Sequence, residues 1–154
     1  MKRSDYMQGT DTRITISDAE YEVMRVVWAN ISVTSREIID VLKRKMDWNE
    51  STIKTLIGRL VDKELLNTEK DGRRYIYTAN VSEQRTMKQN VEDLFSLVCD
   101  THDSLVVKHV LNQANLSVAD IQELIGKLEE RLEDAPKSIP CACVPGQCDC
   151  HLIG

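Results

Sequence analysis

The sequence predicts a mainly α protein with one small β-hairpin, and three observations support this fold class. Apolar residues recur every three or four positions in successive segments from Asp18 onward, which is typical of amphipathic helices. Asp71-Gly72 lies between two runs that contain aromatic and β-branched residues, which is a strong hairpin signal. Residues 141–150 hold four of the five cysteines as C-x-C-x4-C-x-C, which indicates a tail distinct from the helices.

Capping signals define the first two helices. Ser17 and Glu20 form a capping-box pattern, which predicts a helix over 18–29. After the β-prone run 31–34, Ser35 is expected to cap a second helix. The repeating apolar residues are Tyr21, Met24, Val27 and Trp28 in the first helix and Ile38, Ile39, Leu42 and Met46 in the second.

The third helix has one polar face with small side chains and cations. The capping side chains of 47–49 precede it, and its apolar residues point away from that face. Small hydroxyls and long cations suit a helix that enters the major groove, although a solvated surface helix shows the same pattern. The candidate contact residues on and beside this face are Ser51, Thr52, Lys54, Thr55, Arg59 and Lys63.

A hairpin with a basic tip follows the third helix. Asp71-Gly72 predicts a type I′ turn, and Lys70, Arg73 and Arg74 surround it. Three helices followed by such a hairpin are the order of a winged helix-turn-helix DNA-binding domain. In that arrangement the third helix reads bases, while Arg73 and Arg74 of the wing hold phosphates.

Residues 82–134 show three further helical patterns, the last of them capped by Ser117. Their apolar stripes are too long to be covered by one small neighbouring helix. We therefore expect helices from two copies of the chain to share a core, and packing within one chain is the alternative. A two-fold protein also suits a palindromic DNA site.

The cysteine tail is predicted to bind a soft metal ion. A C-x-C pair cannot close a relaxed disulfide, whereas the Pro145-Gly146 turn can bring two such pairs together. Thiolates favour both Zn(II) and Cu(I), and residue types alone do not choose between the two ions. Cys99, His102 and His109 are expected to have core or surface roles, and His151 is left out of the site. The predicted metal ligands are Cys141, Cys143, Cys148 and Cys150.

Charge and composition restrict the class of function. The 154 residues are 42% hydrophobic and carry a net charge of −5. Residues 1–80 hold 14 Lys and Arg against 13 Asp and Glu, whereas residues 81–154 hold 6 against 12, so a basic face is available in the first half. Without a long apolar run or an apolar leader after Met1, we expect a cytoplasmic protein with no membrane partner. No catalytic spacing indicates an enzyme.

Several motifs between residues 14 and 80 occur together in one family of regulators. They are Ser17-Asp18-Ala19-Glu20, Val27-Trp28, Trp48-Asn49-Glu50-Ser51-Thr52-Ile53-Lys54-Thr55-Leu56, Arg59-Leu60, Lys63 and Asp71-Gly72-Arg73-Arg74-Tyr75-Ile76-Tyr77. On these residues the chain resembles the penicillinase-repressor family of winged-helix regulators. The cysteine tail adds a resemblance to the copper-responsive branch of that family.

The resemblance implies a copper-responsive repressor in three parts. These are a DNA-binding domain over 1–80, a helical dimerisation region over 81–135 and a metal-binding tail over 136–154. A homodimer with Zn(II) would bind double-stranded operator DNA and leave it when Cu(I), the inducer, replaces the zinc. A copper metallochaperone that delivers Cu(I) is a further expected partner. The alternatives are an antibiotic-responsive repressor inactivated by proteolysis and a metal-buffering protein.

Overall fold

The computed structural model describes residues 13–150 and confirms a mainly helical chain with a small antiparallel sheet. Predictions for residues 1–12 and 151–154, including that for His151, lie outside the described residues. A 3-10 turn, Asp100–His102, precedes α5. The elements are α1 Asp18–Trp28, β1 Val33–Thr34, α2 Ser35–Lys45, α3 Glu50–Asp62, β2 Leu66–Asp71, β3 Arg74–Ala79, α4 Glu83–Ser96, α5 Asp103–Gln113 and α6 Val118–Asp134.

The chain forms two compact units. The first ends at Gln89 and the second begins at Asn90, so the division falls within α4. The three-part division at 80/81 and 135/136 stays a prediction. Among residues 13–150, no helix is both long and apolar enough to cross a membrane.

The core of the first unit lies between α1, α2, α3 and the sheet. The strands are antiparallel in the order β1-β3-β2, with Val33 opposite Tyr77 and Leu66 opposite Ala79. The indole Nε1 of Trp28 donates a hydrogen bond to the carbonyl of Val81 at 2.8 Å, which ties α1 to the chain beyond the hairpin. The largest fully buried side chains are Met24, Ile38, Ile39, Leu42, Ile53, Leu60, Val23 and Val27.

The helix caps are confirmed at two positions in the first unit and wrong at one. Ser17 caps α1 in a capping box with Glu20, and the Asn49 side chain caps α3. Thr34, and not Ser35, caps α2. A capping box needs a carboxylate three residues after the cap, and Glu37 occupies that position only for Thr34.

The hairpin is confirmed, but its predicted turn type is wrong. Asp71 pairs with Arg74, so Gly72 and Arg73 are the two central residues of the turn. A type I′ turn needs a positive φ at both, and only Gly72 has one, at 62°. A glycine with positive φ at the first central position is the pattern of a type II′ turn, which equally matches the twist of the strands.

A buried carboxylate joins the start of α1 to the end of α3. The Glu20 side chain is only 3% exposed, and its Oε2 accepts a hydrogen bond from Lys63 Nζ at 2.6 Å and one from Ser17 N at 3.3 Å. Burial acts to raise the pKa of Glu20, but the hydrogen bonds from Lys63 and Ser17 outweigh it and hold the pKa below its usual value of 4.5. Glu20 therefore stabilises the fold in its ionised form.

The large apolar side chains of α5 and α6, in the second unit, are exposed to solvent. Neither α5 nor α6 contains a buried residue. Ser117 caps α6 in a capping box with Asp120, as predicted. The large apolar side chains of these two helices that remain exposed are Leu105, Val107, Val110, Leu111, Val118, Ile121, Leu124, Ile125, Leu128 and Leu132.

Replacing Glu20 tests the contribution of its ionised form. We expect Glu20→Gln to lower the free energy of unfolding at neutral pH by about 1 kcal/mol, because Lys63 is partly exposed and retains water. A depressed pKa in the folded state gives stability that is present above pH 4.5 and is lost as the pH falls through the folded pKa. The difference between wild type and variant should therefore shrink below pH 4.5, as measured by urea unfolding under reducing conditions.

Asp40→Asn is the matched control, because the Asp40 carboxylate is exposed and lies 3.8 Å from Arg36. Its effect at neutral pH should stay within about 0.5 kcal/mol. An equal effect of both substitutions, or a Glu20→Gln effect that does not change with pH, would contradict the role given to Glu20.

Candidate functional site

The polar face of α3 is held in place by its N-terminal cap. Asn49 Oδ1 accepts hydrogen bonds from the backbone N of Thr52 at 2.9 Å, the Ser51 hydroxyl at 2.7 Å and the Thr52 hydroxyl at 3.0 Å. One turn later, the Thr55 hydroxyl donates to the carbonyl of Ser51 at 2.9 Å. These hydroxyl groups thus donate their hydrogens within the helix and leave oxygen lone pairs toward solvent. The predicted residues of α3 that are exposed are Ser51, Thr52, Lys54, Thr55 and Arg59.

Gly58 lies on the same exposed face. A Cβ added there would meet no atom within 4 Å, so packing inside the chain does not require a glycine. A glycine in a helix interior costs about 1 kcal/mol relative to alanine. Because Gly58 has no side chain, nothing projects from the middle of this face.

Charges at the start of α3 form a small network. Lys54 Nζ lies 2.9 Å from Glu50 Oε1, and Arg36 of α2 lies 3.6 Å from the same oxygen. The hydrogen bond from Lys54, and then the charge of Arg36, hold the pKa of Glu50 below its usual value. Glu50 therefore stays ionised and neutralises part of the positive charge beside the polar face.

Lys63 differs from the other predicted cations. Besides its ion pair with Glu20, its ammonium donates to the carbonyl of Thr15 at 3.1 Å. Both bonds lie within the first unit, so Lys63 has a structural role there. A contact between Lys63 and DNA stays a prediction.

The hairpin presents cations at its tip. Lys70, Arg73 and Arg74 are all exposed, and Arg73 is the second central residue of the turn. Arg74 lies 3.8 Å from Asp71 across the same turn, a distance typical of a weak surface pair. The guanidinium groups therefore remain accessible to an anion.

Four thiol groups lie close together in the second unit. The sulfur atoms of Cys99, Cys141, Cys143 and Cys148 are all within 4.8 Å of one another. The Sγ of Cys141 lies 3.6 Å from that of Cys99 and 3.2 Å from that of Cys148. Zinc–sulfur bonds of about 2.3 Å place the corners of a zinc tetrathiolate about 3.8 Å apart. This donor set therefore fits a zinc-sized ion with four sulfur ligands.

Cys150, the fourth predicted ligand, belongs to a neighbouring group with His102 and Asp149. Its Sγ lies 3.5 Å from Cys99 Sγ, and the Thr101 hydroxyl is 3.1 Å from both sulfur atoms. The tail cysteines thus converge with Cys99, whose side chain is buried. The predicted set of Cys141, Cys143, Cys148 and Cys150 stays a prediction.

The turn between the two C-x-C pairs has the predicted form. Gln147 N donates to the carbonyl of Val144 at 3.0 Å, with Pro145 and Gly146 as the central residues. Gly146 has a φ of 96°, which a side chain would strain. This turn reverses the chain and returns Cys148 toward Cys141.

The thiols strongly affect one another's ionisation. Hydrogen bonds from the side chain and backbone of Thr101, with those from Cys150 and Cys141, lower the pKa of Cys99 to about 6. The hydrogen bond with Cys99 is the largest effect that raises the pKa of Cys143, to about 11, and Cys141 likewise raises the pKa of Cys148. One thiolate thus opposes the formation of others. A soft cation is the partner that would stabilise several thiolates together.

Sequence analysis gave Cys99 a core or surface role and did not connect it with the tail cysteines. It ends an apolar stripe, and a lone buried cysteine is usually a small core residue. The distance of 42 residues to Cys141 hides their contact, since no local pattern relates them. The sequence holds one local signal of a polar site near Cys99, which is the pair Thr101-His102 two and three residues further along the chain.

Comparison with known proteins gives one family match and several similar relatives. The sequence model described as penicillinase repressor matches residues 16–130. A protein of Latilactobacillus sakei, described as an uncharacterized 16.5 kDa protein in the ptsI 3′ region, is 44% identical over 136 residues, which are 88% of this chain and 93% of that protein. A penicillinase repressor of Bacillus licheniformis is 35% identical over 115 residues, 75% of this chain and 90% of that protein.

Among solved structures, the DNA-binding domain of the repressor BlaI is similar to part of the chain. It is 43% identical, with a TM-score of 0.43, and the match covers 45% of this chain and 84% of that domain.

Proposed function

The chain belongs to the penicillinase repressor family of DNA-binding transcriptional repressors, and we propose that it is the copper-responsive repressor of a copper-homeostasis operon. As a homodimer in the cytoplasm, it binds a palindromic operator when Zn(II) occupies the tail thiolates. Cu(I) replaces zinc and releases the DNA. The observation that carries this proposal is the convergence of the tail thiols in a chain of this family.

The exposed face of α3 is the proposed base-reading surface. Its hydroxyl groups are fixed by the Asn49 cap, so little side-chain freedom is lost when they meet base edges. Gly58 lets the helix approach the groove closely. Lys54 and Arg59 extend beyond the small residues toward base edges and phosphates.

The wing cations are proposed to hold phosphate groups. Arg73 and Arg74 are exposed at the tip of the hairpin that follows α3, and the pair of Arg74 with Asp71 is weak at 3.8 Å, so its charge remains available. Contacts of this kind fix the register of the protein on DNA and carry no sequence information.

The exposed apolar residues of α5 and α6 support a dimer. Leu128 is 56% exposed and Leu132 is 75% exposed, within a stripe that repeats along the whole of α6. A large apolar surface of this kind favours burial against another protein surface. A second copy of the chain supplies the same stripe in the two-fold arrangement that a palindromic operator requires.

The thiol set supports a response to a change of metal. Bound zinc would hold four thiolates in a tetrahedral arrangement, whereas Cu(I) binds two or three and bridges between them. The ions thus require different arrangements of the same cysteines. Delivery of Cu(I) by a metallochaperone is part of the proposal.

An antibiotic-responsive repressor inactivated by proteolysis is the second candidate. One relative that favours it is the Bacillus licheniformis penicillinase repressor, at 35% identity. Such a mechanism gives no role to five cysteines that lie together, and a metal buffer would give no role to a winged helix. We therefore prefer the copper-responsive repressor.

Copper should release the zinc-loaded protein from its operator. We expect fluorescence anisotropy of labelled operator DNA, under anaerobic conditions, to fall on addition of stoichiometric Cu(I) but not of further Zn(II). Cys141→Ser/Cys148→Ser removes two sulfur atoms that lie 3.2 Å apart and should abolish the copper response. Release of that variant by Cu(I), or tight wild-type binding that ignores Cu(I), would refute the proposed switch.

The wing arginines should set the salt dependence of operator binding. Arg73→Ala/Arg74→Ala should reduce the slope of the logarithm of the binding constant against the logarithm of salt concentration by about 2, because each phosphate contact contributes about 0.9. Arg25→Ala is the matched control: Arg25 is exposed and pairs at 3.8 Å with Glu22 of α1, and its loss should leave the slope unchanged. Equal slopes for wild type and wing variant would exclude phosphate contacts by the wing.

A further inference from the structure

We propose that Cys99 is itself a metal ligand, and that zinc is held by Cys99, Cys141, Cys143 and Cys148 with Cys150 outside this set. The inference rests on the proposed function, because it identifies the ligands of the metal proposed there. It changes the site from one contained in the tail to one shared between the tail and the helical part of the second unit.

The geometry favours this set of four. Their sulfur atoms all lie within 4.8 Å of one another, whereas Cys150 falls in the other group, with His102 and Asp149. Within the set, the sulfur atoms of Cys99 and Cys141 are 3.6 Å apart and those of Cys141 and Cys148 are 3.2 Å apart, against about 3.8 Å for the edge of a zinc tetrathiolate. Cys150 Sγ lies 3.5 Å from Cys99 Sγ but is not within 4.8 Å of all the others. Small movements of the side chains would complete the site.

Cys99 is well placed to anchor the metal. It caps the 3-10 turn Asp100–His102 between α4 and α5, and only 8% of it is exposed. The Thr101 hydroxyl lies 3.1 Å from Cys99 Sγ and from Cys150 Sγ, and the two sulfur atoms are themselves 3.5 Å apart. Cys99 thus offers one buried ligand, and the tail offers the other three on either side of the Pro145-Gly146 turn.

The choice of ligands decides what the metal can restrain. Four ligands from the tail would close only short loops within residues 141–150. A ligand at Cys99 closes a loop of 42 residues that contains α5 and α6. Removing or rearranging that ligand would free the tail from the segment that precedes the exposed apolar helices. A metal bound in this way would therefore act on the proposed dimer region through the polypeptide chain itself.

Two single substitutions in the full-length protein separate the two ligand sets. We expect Cys150→Ser to keep a zinc affinity within about threefold of wild type, and Cys99→Ser to lose at least about tenfold, both measured by competition with a chelator. Wild-type zinc affinity in Cys99→Ser, or a loss in Cys150→Ser as large as that in Cys99→Ser, would overturn the inference.

Cobalt substitution in Cys150→Ser tests the same point without altering the buried cysteine. This variant has four cysteines left, so a charge-transfer band with the intensity of four Co(II)–thiolate bonds requires Cys99. A three-thiolate spectrum would overturn the inference even if Cys99→Ser fails to fold.

Operator binding distinguishes failure of the inference from failure of the proposed function. If copper releases the wild-type protein while Cys99→Ser keeps full zinc affinity, the ligand set is wrong and the repressor stands. If Cys150→Ser holds cobalt with four thiolates but neither metal changes operator binding, Cys99 is a ligand and the proposed switch is wrong.

Discussion

The close approach of the cysteine sulfurs is the constraint on which the proposed function of the second unit depends. With their sulfur atoms within 4.8 Å, these thiols cannot ionise independently, and the raised pKa of Cys143 and the lowered pKa of Cys99 show the competition. A bound cation removes that competition, because it stabilises every thiolate at once. The proposed affinity for metal and the folded arrangement of the tail would therefore be linked.

The face of α3 is held in place by contacts within the first unit. Its core is formed by the apolar sides of three helices and a sheet, and the Glu20–Lys63 pair fixes the end of α3 to the start of α1. The Asn49 cap then orients the first polar side chains of α3. Within the family, such a unit supplies DNA binding. In the proposed mechanism, a change of metal in the second unit would alter operator affinity through the dimer and leave the contacts that hold the face of α3 unchanged.

Local patterns in the sequence predicted most of the helices and the hairpin. Contacts between residues far apart in the sequence were the main feature that could not be predicted. Ser17 and Ser117 were identified as capping residues, and the cap of α3 was placed within 47–49, because a cap and its partner lie within three positions. Thr34 was missed although Glu37 completes its capping box, since the neighbouring serine is an equally good capping residue in isolation. Cys99 could not be connected to the tail, because that contact depends on how the chain folds between residues 99 and 141.

The coupling of metal to DNA is tested most directly by measuring zinc affinity with and without operator DNA. Linkage requires that operator DNA raise the zinc affinity by the same factor by which zinc raises the operator affinity. We predict an increase of roughly 5- to 150-fold when the full-length protein is saturated with its palindromic operator, the range typical of allosteric coupling. Equal zinc affinities in the free and DNA-bound protein would show that the thiol site does not control repression.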